Sequence, residues 1–112
     1  MPAQIHGRLF AAALSNGHST VAGGYTVPAS RKATVNISLC NITAAPIVVR
    51  LAHIDGAIAA LADEDYLEYG FSLPANGVLE RTGITMRATH TLIASALALG
   101  VSVMVTGIEE DV

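Results

Sequence analysis

The chain has 112 residues, of which 52% are hydrophobic, 4% aromatic and only 13% charged, and its formal net charge is −3. Globular proteins average about 25% charged residues, so few polar groups are present to cover the surface of a monomer, which favours a homo-oligomer. The six Lys and Arg residues are scattered, and this disfavours nucleic-acid binding, which needs clustered cations. The length suits one domain with an aliphatic core.

The N-terminal part of the chain is residues 1–24, which we expect to form a strand or an arm ahead of a domain at 25–112. Apolar residues alternate with polar ones over residues 3–11, which predicts a strand. Ala and Leu at 9–14 would also suit a helix. Residues 15–20, SNGHST, contain the turn-forming pair Asn-Gly and predict a loop.

Two strands follow at 33–42 and 47–54. The first alternates strictly, whereas the second is apolar on both faces and is therefore expected to be central or covered on both sides. His53 lies in an apolar row of the second strand, where a histidine satisfied in a core or interface is favoured over a metal ligand. Cys40 is the one cysteine, so an inert thiol on a strand is expected rather than a disulfide or thiolate zinc site.

The stretch 63–84, DEDYLEYGFSLPANGVLERTGI, is the strongest pattern in the chain. Period-two alternation predicts a half-buried strand with Leu67, Tyr69, Phe71 and Leu73 on one face. PANG at 74–77 is a turn signal, and a second strand begins at Val78, so the pattern predicts a β-hairpin. Across such a hairpin, or between two chains, Glu68 and Arg81 can approach each other.

The remaining segments add two strands. Residues 56–62 are Ala-rich and predict a helical turn or an irregular crossing. The uncharged run 88–108 is long enough to span a bilayer. Its alternation and Gly100 favour instead strands at 91–96 and 101–108 joined by a turn. Seven to nine short strands spaced by about eight to twelve residues predict an antiparallel β-sandwich or jelly roll.

The sequence contains no recognisable catalytic constellation. The four histidines, His6, His18, His53 and His90, are far apart in sequence and lack zinc-ligand spacing. Three consecutive acids at 63–65 cannot all point at one ion, and a solvated group is expected there. We therefore predict no catalytic residues, no cofactor and no metal site.

Four segments carry a resemblance to a known family. They are the YTVPA opening at 25–29, YLEY at 66–69, GVLERTGI at 77–84 and GIEE at 107–110. Together they resemble small β-rich virion structural proteins of tailed bacteriophages, over roughly residues 25–110. Ser30 departs from the pattern, in which glycine is common at that position.

The resemblance implies a non-enzymatic virion protein. Within that class we expect a trimeric capsid decoration, or cement, protein that stabilises the head from the capsid surface. Its expected partners are copies of itself and the major capsid protein, with neither nucleic acid nor membrane. Glu68, Tyr69 and Arg81 are the expected subunit contacts. Because the resemblance starts near Tyr25, residues 1–14 are expected to pack on a neighbouring chain or on the capsid.

Two other functions are open to this sequence. A component of the neck, tail or fibre would show the same fold class, because function does not follow from fold. A carbohydrate-binding β-sandwich module is the further alternative, although such modules use exposed aromatic platforms and this chain has no Trp, three Tyr and two Phe.

Overall fold

The computed structural model describes residues 4–14, 23–56 and 61–112. These residues contain eight strands and one 3-10 turn at Asp63–Asp65, which confirms the predicted all-β class. The strands are β1 Gln4–Ala13, β2 Gly23–Thr26, β3 Arg31–Asn41, β4 Ile47–Ile54, β5 Tyr66–Leu73, β6 Val78–Met86, β7 Thr91–Ala96 and β8 Val101–Asp111.

The strands form two antiparallel sheets of four strands each, in the orders β1-β8-β3-β6 and β2-β7-β4-β5. Successive strands lie in opposite sheets except β4 and β5, which are neighbours in the second sheet, and β8 returns to lie between β1 and β3. Eight strands wound in this interleaved order form a jelly-roll sandwich, as the sequence predicted. Within the part of the chain that the structure describes, no helix is long and apolar enough to cross a bilayer.

The core lies between the sheets and is almost entirely aliphatic. On β3, Val35, Ile37 and Leu39 are buried, while Asn36 on the other face is exposed. Period-two alternation thus places one apolar row inside and one polar row outside.

A second, smaller apolar cluster lies on the other face of β4. Ala52, Ile54 and Ile93 are buried there, with Leu61 and Tyr66 packed against them. Strand β4 is therefore covered on both sides, and the prediction from its doubly apolar sequence is confirmed.

The N-terminal strand belongs to the domain core, contrary to expectation. Strand β1 pairs antiparallel with β8 of its own chain, Leu14 is 3% exposed, and Phe10 packs against the main core. The expectation that residues 1–14 pack on a neighbour is therefore wrong for residues 4–14. Strand β1 thus forms the edge of the β1-β8-β3-β6 sheet.

The predicted hairpin at 63–84 is also wrong, although the strands and the turn between them are where the sequence placed them. Strand β5 pairs with β4 in one sheet, and β6 pairs with β3 in the other. The 74–77 turn closes on itself through a 2.9 Å bond from the Gly77 amide to the Pro74 carbonyl. The chain crosses from one sheet to the other here, and the Asn76 amide bonds to the Thr43 carbonyl of the β3–β4 connection at 3.1 Å.

Asn41, the last residue of β3, holds that crossing in place and is fully buried. Its Nδ2 donates to the carbonyls of Ala45, Leu73 and Pro74 at 2.8, 3.2 and 3.2 Å. Its Oδ1 accepts from the Thr43 amide and hydroxyl at 2.9 and 2.7 Å. One side chain thus ties the end of β3 to the β5–β6 crossing and the β3–β4 connection.

Two predicted connections fall at least partly outside the described residues. The loop predicted at 15–20 lies wholly outside them, and so do residues 57–60 of the segment predicted at 56–62.

Replacing Asn41 with Ala is expected to lower the free energy of unfolding by about 3 kcal/mol or more. The substitution removes five hydrogen bonds made by a fully buried side chain, and each such bond contributes about 0.5–1.5 kcal/mol net. The matched control is Asn36→Ala. Asn36 is exposed and accepts one bond, at 3.0 Å, from the Gly83 amide, so its loss should cost only about 0.5 kcal/mol. Urea denaturation of both variants measures the difference, and equal losses would contradict the role given to Asn41.

Candidate subunit-contact site

The predicted contact residues lie along the open side of the sandwich, where edge strands β5 and β6 face each other from opposite sheets. Strand β5 carries two bulges. Gly70, at φ 79°, is inserted between Tyr69, which pairs with Arg50, and Phe71, which pairs with Val49. Leu67 is the second inserted residue, between Tyr66, which pairs with Ala52, and Glu68, which pairs with Leu51. A bulge adds one residue to one strand and reverses which residues face inward.

These bulges overturn the predicted apolar face of β5. Leu73 is fully buried, whereas Leu67, Tyr69 and Phe71 are 40%, 63% and 36% exposed. Glu68 pairs with buried Leu51 and therefore points toward the interior side, a position that strict alternation would give to an apolar residue. The open edge of β5 consequently presents three large apolar side chains to its surroundings.

Glu68 and Arg81 form an ion pair across the gap between the two sheets. Arg81 lies on β6 opposite buried Ile37, so it also points toward the interior side from its own edge. The Arg81 side chain is 45% exposed and that of Glu68 is 20% exposed. The predicted approach of these two residues is present, but it joins the edges of two sheets rather than neighbouring strands of a hairpin.

Tyr69 lies on the outer face of its sheet, away from the ion pair. The Arg50 guanidinium carbon lies 4.1 Å from the centre of the Tyr69 ring, and the Tyr66 ring meets that ring edge-on with centroids 4.7 Å apart. Asp63 joins the two tyrosines in lining a shallow cavity. A guanidinium over an aromatic face is a favourable contact that fixes the orientation of both groups. The three predicted contact residues thus form two adjacent groups on the open side of the sandwich. One is the Glu68–Arg81 ion pair, and the other is Tyr69 with its neighbours Arg50 and Tyr66.

A second exposed apolar surface was not predicted. It is the uncharged end, formed by the connections 42–46, 74–77 and 97–100, which contain no Asp, Glu, Lys or Arg. Ile42, Leu97 and Leu99 there are 70%, 52% and 68% exposed. The Ile42 amide bonds to the Gly100 carbonyl at 2.9 Å and the Asn76 amide to the Thr43 carbonyl at 3.1 Å, so the connections are fixed to one another. The sequence pattern predicts only turns in these stretches.

The opposite end of the sandwich holds a buried polar network that also joins the two sheets. The Tyr25 hydroxyl of β2 donates to the Glu109 carboxylate of β8, and both residues are buried. Arg31 bonds to Glu109 at 3.3 Å and lies 3.5 Å from Asp111. Burial, then the hydrogen bond to Glu109, raises the pKa of Tyr25 well above its usual range.

Two histidines that are far apart in sequence meet in the structure. His53 Nε2 and His90 Nδ1 are 3.0 Å apart, and His90 Nε2 lies 2.9 Å from Asp55 Oδ1. Burial and then the neighbouring charge of His90 lower the pKa of His53, while Asp65 and Asp55 act in the opposite direction. Among the described residues no group of three or more His, Cys, Asp or Glu side chains is arranged to hold a metal ion.

Comparison with models of known protein families finds no match, and neither does comparison with curated proteins.

Breaking the Glu68–Arg81 pair is expected to have an effect that depends on assembly. In a separated chain the pair is partly exposed, and Arg81→Ala should cost about 0–1 kcal/mol. If the pair is buried at a contact between copies, the remaining carboxylate is stranded and the cost rises to about 3–5 kcal/mol. We expect the larger loss in the assembled protein, with recovery in the Glu68→Gln, Arg81→Met double variant.

Thermal melts over a dilution series measure this effect, with exposed Arg87→Ala as the matched control. An Arg81→Ala variant that melts like the parent protein at every concentration would show that the pair lies on a free surface.

The Tyr25–Glu109 bond is expected to make stability depend on alkaline pH. Because the folded pKa of Tyr25 is raised above its unfolded value of about 10, its contribution is complete below about pH 10 and is lost as the pH rises further. Tyr25→Phe should therefore lower stability at neutral pH by about 1–3 kcal/mol. It should also flatten the decline above about pH 10. Urea midpoints across this range, with Tyr69→Phe as control, test it; an unchanged alkaline slope in Tyr25→Phe would contradict it.

Proposed function

We propose that this protein is a non-enzymatic structural component of a bacteriophage virion, most specifically a trimeric decoration protein that stabilises the capsid from its outer surface. The assembly part of the proposal rests on the apolar side chains exposed along edge strand β5 and on the low proportion of charged residues in the sequence. The virion part is supported by the resemblance of residues 25–110 to small phage structural proteins.

The β5 edge suits contact between copies through side chains. Leu67, Tyr69 and Phe71 supply apolar area, and Arg50 holds the Tyr69 ring in a fixed position. Aromatic and Arg side chains of this kind are enriched at the centres of protein interfaces. Glu68 and Arg81 are already paired within one chain, so burying them against a neighbour leaves no charge without a partner.

The uncharged end suits contact with the capsid. A cyclic oligomer presents the same end of every copy on the same side of the ring. Three copies joined through their β5 edges would therefore place three sets of Ile42, Leu97 and Leu99 toward one partner surface. Because the connections are hydrogen-bonded to one another, little conformational freedom is lost when this surface docks.

A carbohydrate-binding role has one observation in its favour, the shallow cavity lined by Asp63, Tyr66 and Tyr69. Sugars stack on open aromatic faces beside carboxylates. Here the Arg50 guanidinium occupies one face of the Tyr69 ring and Tyr66 meets it edge-on, so the platform is small. A glycan array distinguishes the two roles, because binding that Tyr69→Ala abolishes would favour the sugar site.

The self-assembly part of the proposal predicts a mass of three times 11.5 kDa for the purified protein. Light scattering at tens of micromolar measures it, and Leu67→Asp is expected to reduce the mass to that of one chain by placing a charge in the contact. Val112→Asp is the matched control, because Val112 is 82% exposed and lies away from β5 at the chain end. A single-chain mass under all conditions, on particles as well as in solution, would contradict self-assembly.

Binding to capsids that lack the protein tests the virion part. Leu99→Asp should abolish co-sedimentation with capsids while leaving the oligomeric mass unchanged, and Val112→Asp should bind normally. Bound copies in proportion to the capsid subunits support decoration. Only a few copies in each particle, located at one vertex or on the tail, would assign the protein to the neck, tail or fibre instead.

A further inference from the structure

The end of the sandwich opposite the uncharged end contains a chain of three titratable side chains. His53 is the second-last residue of β4, Asp55 follows that strand, and His90 lies in the β6–β7 connection just before β7. We propose that these three residues form a pH-sensitive latch, which holds this end closed when at most one histidine is protonated and releases it when both are. The proposal is independent of the virion role.

The geometry of the two rings sets a limit on the number of protons. His90 Nε2 faces the Asp55 carboxylate at 2.9 Å, so this nitrogen carries a proton and donates it. His90 Nδ1 and His53 Nε2 face each other at 3.0 Å, and one of them must be a bare acceptor for a hydrogen bond to form. When both rings are cationic, two donors and two positive charges meet at this distance. The contact must then separate.

The surroundings of His53 disfavour protonation of a second histidine, but nearby carboxylates partly offset this effect. His53 is only partly exposed, and its pKa is lowered by burial and by His90. Asp55 and Asp65 oppose that shift. His90 also lines a cavity of about 480 Å³ that places other charged groups nearby. These are Lys32 on β3, Arg87 in the β6–β7 connection and Glu110 on β8.

The backbone around His90 shows what the latch holds. The His90 carbonyl accepts from the Val27 amide at 3.0 Å, and the Thr89 amide donates to the Val27 carbonyl at 2.9 Å. Thr89 has φ 68°, which is a costly conformation for a β-branched residue and persists only where neighbouring contacts enforce it. The His53–His90–Asp55 contacts supply such enforcement, so their loss should release the β6–β7 connection from the end of β2.

The sign of the pH dependence follows from the lowered pKa of His53. The latch contributes its full stability above the unfolded histidine pKa of about 6.5, and that stability is lost as the pH falls from there to the lower folded pKa. Between about pH 6.5 and the lower folded pKa, opening linked to one additional proton should increase by up to about tenfold for each unit by which the pH falls.

Native-state hydrogen exchange between about pH 7.5 and about pH 4.5 tests the latch, since this range brackets the ordinary pKa of histidine. Protection factors, rather than raw rates, remove the intrinsic pH dependence of exchange. The reporter amides are Val27 and Thr89, and the internal controls are the amides of Asn41 and Ile42 at the uncharged end. The expected result is a loss of protection at the reporters in acid with none at the controls.

His53→Gln provides the decisive variant. A glutamine amide can donate to His90 Nδ1 but does not titrate in this range, so the reporters should keep their protection at all pH values. An unchanged acid loss in His53→Gln would overturn the proposal, and so would an equal loss at both ends in the unaltered protein. If the variant does not fold, imidazole ¹⁵N shifts of the unaltered protein decide the matter. Two coupled histidine titrations support the latch, whereas two independent ones overturn it.

Discussion

The rest of this sandwich depends on the hydrogen bonds that the buried Asn41 side chain makes at the end of β3. Where the chain crosses from one sheet to the other, backbone N–H and C=O groups no longer have hydrogen-bond partners on a neighbouring strand and need other partners. Asn41 supplies donors to Leu73 and Pro74 on the crossing and accepts from Thr43 in the adjoining connection. An amide can do both at once, whereas a carboxylate could only accept and an aliphatic residue could do neither. Asn41 thereby stabilises the β5–β6 crossing on which the jelly-roll winding depends.

The segments 25–29, 66–69, 77–84 and 107–110 contribute to polar links of a similar kind. Tyr25 from the first segment bonds to Glu109 from the last, and Glu68 from the second pairs with Arg81 from the third. Each link joins one sheet to the other. Gly107, in the last segment, has φ 152°, and a Cβ there would stand 2.2 Å from the Thr34 carbonyl oxygen. The residues that make these links are therefore explained by folding.

The sequence predicted the strands and the fold class because alternation and turn chemistry are local signals. It failed where a distant partner decided the outcome. A Pro-Ala-Asn-Gly turn suits a hairpin equally well, and here its bonds to Asn41 and Thr43, which are distant in sequence, hold it between the two sheets. Alternation in β5 failed at Gly70, since a bulge depends on the partner strand. The meeting of His53 with His90 had no signal in sequence, because it arises from the order of strands in the second sheet.

The bulges decide what kind of assembly the exposed edges permit. A long regular edge strand with apolar side chains invites open-ended pairing with other chains. Strand β5 is interrupted at Leu67 and Gly70, and β6 shifts register near Gly83, whose amide bonds to Asn36. Regular strand addition along either edge would leave ladder bonds unmade at each interruption. The bulges leave the apolar side chains of β5 exposed, but they interrupt the row of backbone N–H and C=O groups with which another strand could pair. Contacts between copies then rest on side-chain shape, which favours a closed oligomer over a growing sheet.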